Sequence, residues 1–407
     1  MNKYLLLIFL LLYHTSFAQK GITYYFKAKG AEKNNNISKA IQFLDSAINI
    51  DNSNKTYLFE KAVILYKSKQ YRKTKNILFL LSTKKYYPAN LYLAKIYALE
   101  KNPDSSIYFL KKYLSYHRKI PRNKIRLDSD LALISNTPQW HKLWKQKWYS
   151  SSDIKLQEAE FYLENENYIP AFEITNALIN KNKKNYKAYF LKGKIFMKLQ
   201  NPKNAIKNFT KAIKIYPSYY LYYNWRSEAY QQIKKYKKAI NDIEKSLRLN
   251  PYQIELYPKI ALLYSYTRQY DKAIFYIEKY LKFFPTDLNS SFLAAQIYFE
   301  NGDYLKTIKL LNKIYDKYEP KAKLYFLRGK AYLYSNEYGL AIYDLSQALD
   351  LNPKLTEAYV YKGLCYYKQK KIDKACAQWH KAIEHKQYMA NKYYYQNCEE
   401  YEKKLTH

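Results

Sequence analysis

Apolar positions along this chain recur at helical spacing in short bursts separated by polar turns, and the bursts themselves repeat. In the segment Tyr186 to Pro217, apolar residues follow a helical period on both sides of a break at Asn201-Pro202. Proline suits the first turn of a second helix there, and Pro217 ends that helix because it cannot continue it. The pattern predicts a pair of short helices. Tyr230, Tyr264, Tyr298, Tyr332 and Tyr366 then stand at one constant step of about 34 residues, the period of a two-helix repeat. Tyr236, Tyr270, Tyr304 and Tyr338 keep the same step, as do Ala205, Ala239, Ala273, Ala341 and Ala375, and Pro217, Pro251, Pro285 and Pro353. The chain reads as an array, whose function lies in a surface rather than in a catalytic cleft.

Within the Tyr186 to Pro217 unit, Gly193 and Ala205 are small where the two helices cross, and Phe196, Phe209 and Ala212 fill the space between this hairpin and its neighbours. The order aromatic, small, aromatic, Ala, large apolar, Ala, Pro resembles the tetratricopeptide repeat. It returns at Tyr223/Ser227/Tyr230/Ala239/Ile243/Ser246/Pro251, at Tyr257/Ala261/Tyr264/Ala273/Ile277/Pro285, at Tyr325/Gly329/Tyr332/Ala341/Leu345/Ala348/Pro353 and at Tyr359/Gly363/Tyr366/Ala375/Trp379/Ala382. One unit departs: Ala295, Tyr298, Thr307 and Leu311 keep phase, but Pro320 sits one residue late. The resemblance implies an all-α fold, a right-handed superhelical solenoid of antiparallel helix pairs, with about ten units in two arrays.

The phase extends upstream through Ala159, Tyr162, Tyr168 and Ala171, giving about seven consecutive units over 153–386. Ala28/Ala40/Leu44/Ala47, Ala62/Leu65/Tyr71/Leu78 and Ala94/Tyr97/Leu110 mark about three weaker units over 20–114. Between the arrays, 115–152 lacks the repeat and holds Trp140, Trp144 and Trp148, four apart on a predicted short basic helix. The stripe reads either as a cover for the first array's exposed end or as an interfacial anchor. A capping helix over 387–407 closes the chain; its sequence, Ala390 to Leu405, is rich in charge toward its end.

Lys3, the apolar run Tyr4 to Tyr13 and Ser16-Phe17-Ala18 fit a signal peptide over 1–18, cut after Ala18, with an uncleaved anchor as the competing reading. No other stretch approaches the roughly 18 apolar residues of a membrane span. The expected location is therefore the periplasm or beyond, for an exported bacterial protein. The net charge of +36 raises an anionic partner. Against that, the charge is almost all lysine, is spread along the chain, and accompanies an excess of asparagine, isoleucine and tyrosine of the kind an AT-rich coding bias produces.

Seven glycines form no phosphate-cradling loop, so no nucleotide cofactor is expected. The histidines give no HExxH and no triad. Cys376 and His380 lie four apart on one helix, but no third or fourth metal ligand is evident, so no metal is expected. All three cysteines fall near the C-terminus. Cys376 and Cys398 are equidistant from the predicted turn near Gln387, which permits a bridge in an exported protein with Cys365 left free; three packed free cysteines are the other reading.

In the resembled family the first helix of each unit lines a concave channel for a peptide or helix of another protein. Carried over by phase, the channel positions are Phe190, Lys194 and Met197, then Asn224, Glu228 and Gln231, Leu262 and Tyr266, Phe292 and Gln296, Phe326 and Lys330, Val360 and Leu364. A subclass that clamps C-terminal carboxylates needs Lys and Asn where this chain has Leu156 and Glu160, or Phe190 and Lys194, and is not matched. The expected function is a non-enzymatic protein-binding scaffold. The alternative is a basic adaptor for an anionic polymer or a membrane surface; nucleic acid is not expected as a partner.

Overall fold

The computed structural model describes residues 19–319 and 321–398. The expected leader over 1–18, Pro320 and the 399–407 part of the expected capping helix lie outside the described residues. Among those described there is no strand. The chain divides into two compact units, residues 1–252 and 253–407.

The first unit opens with three helix pairs: α1 (19–33) with α2 (Ile37–Ile50), α3 (Lys55–Lys67) with α4 (Tyr71–Thr83), and α5 (Pro88–Leu99) with α6 (Pro103–Leu114). A non-repeating stretch follows, with α7 (Arg122–Arg126), a 3-10 turn (Ser129–Ile134) and α8 (Pro138–Trp144). Three further pairs complete it: α9 (Ser151–Glu164) with α10 (Tyr168–Lys181), α11 (Tyr186–Lys198) with α12 (Pro202–Ile215), and α13 (Tyr220–Gln232) with α14 (Tyr236–Leu249). The second unit has four pairs: α15 (Leu256–Tyr266) with α16 (Tyr270–Leu281), α17 (Leu288–Glu300) with α18 (Tyr304–Ile314), α19 (Lys321–Tyr334) with α20 (Tyr338–Leu351), and α21 (Glu357–Lys368) with α22 (Ile372–Glu384). A last helix, α23 (Met389–Asn397), packs on α22.

Local chemistry starts and stops these helices. Asn36, Asn54, Asn102, Asn185 and Asn201 accept backbone N–H bonds as N-caps, and Ser150 with Asp153 forms a complete capping box. Pro88, Pro103, Pro138 and Pro202 occupy first-turn positions, where no N–H is needed. At the other end, Tyr216, Asn250 and Asn352 each precede a proline, and their φ values of −138°, −142° and −147° lie in the extended region that a following proline favours.

The tyrosine column falls at the turn inside each hairpin. The carbonyl of Tyr230 accepts the N–H of Lys235, and the same five-residue bond runs from Gln269 to Tyr264, Asp303 to Tyr298, Glu337 to Tyr332 and Lys371 to Tyr366. The residue before each donor is left-handed: Lys234, Arg268, Gly302, Asn336 and Lys370 have φ of 56°, 58°, 87°, 63° and 61°. This is a Schellman closure, repeated at each step, and glycine fills it once.

Small residues set the distance between paired helices. A methyl group added at Gly363 would lie 2.3 Å from the indole nitrogen of Trp379, and one at Gly193 would lie 2.4 Å from the Phe209 ring. Trp379, fully buried, donates its indole N–H to the Val360 carbonyl at 3.2 Å and stacks on Tyr393 at 5.5 Å. Cys376 and Cys398 are joined in a disulfide, with Cα atoms 5.7 Å apart, which ties the segment after α23 to α22. Cys365 is free and buried.

The tryptophan-bearing stretch belongs to the first unit. Ile125, Leu131, Ile134, Trp140 and Leu143 share one core with Leu93, Ile96 and Leu110, and Trp144 and Trp148 pack against it. The helix stops at Trp144, so Trp148 is not part of a helical stripe; its indole N–H instead turns back to the Leu143 carbonyl at 2.9 Å. The division into compact units falls after Tyr252. Tyr252 belongs to the first unit: its ring lies 5.2 Å from Tyr25 and 5.8 Å from Tyr57, and its hydroxyl accepts from Asn54 at 2.9 Å.

Candidate functional site

In the first unit, the first helices α9, α11 and α13 present neighbouring faces, and residues 117–121, the strap after α6, lie across them. Together they line a half-open cavity of about 320 Å³. Leu156, Gln157 and Glu160 come from α9, and Phe190, Leu191 and Lys194 from α11. Tyr216 and Tyr219 come from the α12–α13 turn, Tyr222 from α13, and His117, Arg118 and Lys119 from the strap.

One wall is aromatic. Tyr186 stacks on Tyr216 at 4.9 Å, Phe190 meets Tyr222 at 4.7 Å, and Tyr219 meets Tyr222 edge-on at 4.9 Å. Burial raises the pKa values of Tyr219 and Tyr222, so both remain neutral phenols at physiological pH. Tyr216 is shifted the other way, first by its hydrogen bond with Ser218 and further by Arg118.

The charges are unevenly matched. Asp153 is bonded to Lys187 at 2.9 Å, and Glu160 to Lys194 at 3.4 Å, so both acids lining the cavity are paired. Arg118 donates to the Tyr216 hydroxyl, with its guanidinium 5.5 Å and 5.7 Å from the Tyr216 and Tyr219 ring centres. Lys119 donates to the Tyr116 carbonyl at 3.2 Å and lies 5.1 Å from the Tyr149 ring centre. Burial lowers the Lys119 pKa, Asp153 opposes the shift and Lys187 adds to it. Tyr149 donates to the Ile120 carbonyl at 2.7 Å and Gln157 accepts the Arg122 N–H at 2.9 Å, which fastens the strap to its surroundings.

Of the channel positions expected from phase, Phe190 and Lys194 line this cavity. Lys194 also lies 5.6 Å from the Trp225 ring, and Met197 packs into the adjoining cluster with Phe196 and Trp225. Asn224, Glu228 and Gln231 are half-buried on α13. In the second unit, Leu262 is half-buried, while Tyr266 and Gln296 are exposed. Lys330 is ringed by Phe299 at 4.8 Å, Phe326 at 5.4 Å and Tyr361 at 4.8 Å. Leu364 is half-buried against the cores beneath it.

Two positions are corrected. Val360 is 0% exposed, because Trp379 packs over it, and Phe292 is 8% exposed, stacked on Tyr318 at 4.7 Å. Neither offers a side chain to a partner. Phase alone missed Arg118, Lys119 and Tyr149, because they stand in the stretch without a repeat. Tyr186, Tyr216, Tyr219 and Tyr222 were visible only as members of a tyrosine-rich chain.

Among the described residues no group of three or more His, Cys, Asp or Glu side chains gathers as a metal site. Cys376 is consumed by its disulfide, and His380 is exposed beside Glu384 at 3.2 Å. No helix of the described residues is long and apolar enough to cross a membrane.

Comparison with known proteins gives the class. Residues 186–219, 220–253 and 326–388 match tetratricopeptide repeat models, and 267–348 match the model of anaphase-promoting complex (cyclosome) subunit 3. The chain thus carries tetratricopeptide repeats, arranged as an all-α array of antiparallel helix pairs, and such repeats generally mediate contacts between proteins. Among solved structures, a tetratricopeptide repeat protein from Parabacteroides merdae is 19% identical, covering 57% of this chain and 93% of its own, with a TM-score of 0.46. The C-terminal part of a repeat protein from Cytophaga hutchinsonii is 20% identical, covering 56% and 94%, with a TM-score of 0.46. The Cut9-Hcn1 hetero-tetramer of the anaphase-promoting complex is 13% identical, covering 91% and 95%, with a TM-score of 0.44. No curated protein matches the chain.

Proposed function

We propose that this protein is a non-catalytic scaffold that holds a segment of another protein on the first-helix face of its repeats. The observation that carries the reading is the cavity beneath the strap, where Phe190, Tyr186 and Tyr222 offer apolar area and Arg118, Lys119, Lys187 and Lys194 line it with them. Aromatic anchors with a charged rim are the usual make-up of a protein-binding surface. Both acids that line the cavity are held in ion pairs and no serine or cysteine lines it, which supports a binding role over a catalytic one.

The working location we propose is outside the cytoplasm. The disulfide Cys376–Cys398 supports it, since such bonds persist in oxidising compartments, and the sequence of 1–18 has the make-up of a cleavable leader.

Affinity capture from the native envelope tests the scaffold reading, comparing the unaltered chain with Phe190→Ala. Partners should be retained in about 0.5 M salt, where exposed charges are screened, and should be lost from the variant. A captured set that is unchanged by Phe190→Ala overturns the groove. Retention that vanishes with salt and includes any polyanion favours a basic adaptor instead.

A further inference from the structure

We infer that the cavity beneath the strap selects a partner segment in which an acidic side chain, Asp or Glu, stands next to an apolar or aromatic residue. This rests on the groove reading above and assigns its specificity to Arg118 and Lys119, which belong to the non-repeating stretch and not to a repeat helix.

Charge balance is the first ground. Of the cations lining the cavity, Lys187 and Lys194 already hold Asp153 and Glu160. Arg118 and Lys119 instead meet a tyrosine hydroxyl, a backbone carbonyl and ring faces, all neutral. A guanidinium and an ammonium facing one aromatic-walled hollow leave positive charge there that an entering carboxylate would balance. Partial burial of Lys119 disfavours its charge, and an anion beside it would favour that charge again.

Size and wall chemistry are the second ground. About 320 Å³ sits at the low end of small-ligand sites and has room for a few side chains, not for a helix. The stacked Tyr186–Tyr216 pair and the Phe190–Tyr222 contact give a flat apolar side next to the cations. A neutral polar segment would leave the cations unmatched, and a purely acidic one would leave the rings unused. The strap that supplies both cations is anchored at Tyr149 to Ile120 and at Gln157 to Arg122, so the cations are placed before a ligand arrives.

Fluorescence polarisation with the full chain tests the inference. The probes are N-acetylated, C-amidated labelled hexapeptides built on a Gly/Ser frame, carrying Glu-Tyr, Asp-Leu, Gln-Tyr or Asn-Leu at the centre. Acidic members should bind at least about tenfold tighter than their amide isosteres. Arg118→Gln and Lys119→Gln should each remove most of that preference, bringing Glu-Tyr close to Gln-Tyr; both residues lie on the strap outside the helices, and circular dichroism checks that folding is kept. Phe190→Ala should weaken acidic and neutral members together. If Glu-Tyr and Gln-Tyr bind alike and Phe190→Ala still weakens both, the acidic preference is wrong and the groove stands. If no peptide binds, or if heparin binds and its binding survives Phe190→Ala, both readings fall.

Discussion

Arg226 on α13 grips Asp242 on α14 with two parallel bonds, Nε to Oδ2 at 2.8 Å and Nη2 to Oδ1 at 2.7 Å, while its third nitrogen reaches back to Thr210 on α12 at 3.1 Å. One side chain thereby joins the two helices of a repeat and the second helix of the repeat before it. In the second unit Arg328 repeats the arrangement with Asp344 at 2.7 and 2.9 Å and Asn312 at 2.7 Å. Asp242 and Asp344 are 5% and 2% exposed. Removing one partner strands a buried charge, which typically costs about 3–5 kcal/mol. Asp242→Ala should therefore lower the denaturation midpoint of the first unit sharply. Replacing both residues, as Arg226→Met with Asp242→Leu, should recover most of that loss, because the stranded charge is gone.

The repeated left-handed turn gives an opposite expectation. Lys234 and Lys370 hold φ of 56° and 61° with exposed side chains, a conformation that disfavours any residue with a Cβ by roughly 1–2 kcal/mol. Part of that strain is offset by the extra chain entropy that glycine loses on folding. Lys234→Gly and Lys370→Gly should each stabilise by about 0.5–1 kcal/mol in urea titrations. Gly302→Ala, at φ 87°, should destabilise by about 1 kcal/mol.

Gly363 is constrained by contact and not by backbone angle. Its missing Cβ leaves the place that the Trp379 indole occupies, at 2.3 Å, and that ring is fully buried and bonded to the Val360 carbonyl. Gly363→Ala forces the ring away and breaks that bond, an overpacking that typically costs about 1–3 kcal/mol. Near-ultraviolet circular dichroism, which reads the packing of tryptophan, should change along with the loss of stability.

The cysteines give a chemical test. Burial pushes the Cys365 thiol up to about 12, so at pH 8 it stays protonated and a poor nucleophile. The native chain should show no rapidly reacting thiol toward a disulfide reagent, and the denatured, unreduced chain should show one. Reduction releases the link between α22 and the segment after α23, and the loop of 22 residues it closes is worth about 3 kcal/mol in the chain-entropy account. Proteolysis should then begin at α23, while the repeats further from the C-terminus stay protected.

The amino-acid sequence determined the repeat and its register. Helix period, asparagine caps, first-turn prolines and small residues at helix crossings are local or nearest-neighbour instructions, and an array is built from such contacts alone. The tyrosine column marks the hairpin turn, where each tyrosine carbonyl accepts the closing backbone bond. Tertiary structure decided what the period cannot carry. Trp148 leaves the helix because its indole finds the Leu143 carbonyl, and Val360 is lost to a partner because Trp379 covers it. Tyr252 closes the first unit by meeting Tyr25 and Tyr57, contacts between residues far apart in sequence. Arg118 and Lys119 enter the candidate site because the strap crosses the first-helix faces, a placement set by packing between segments that share no register.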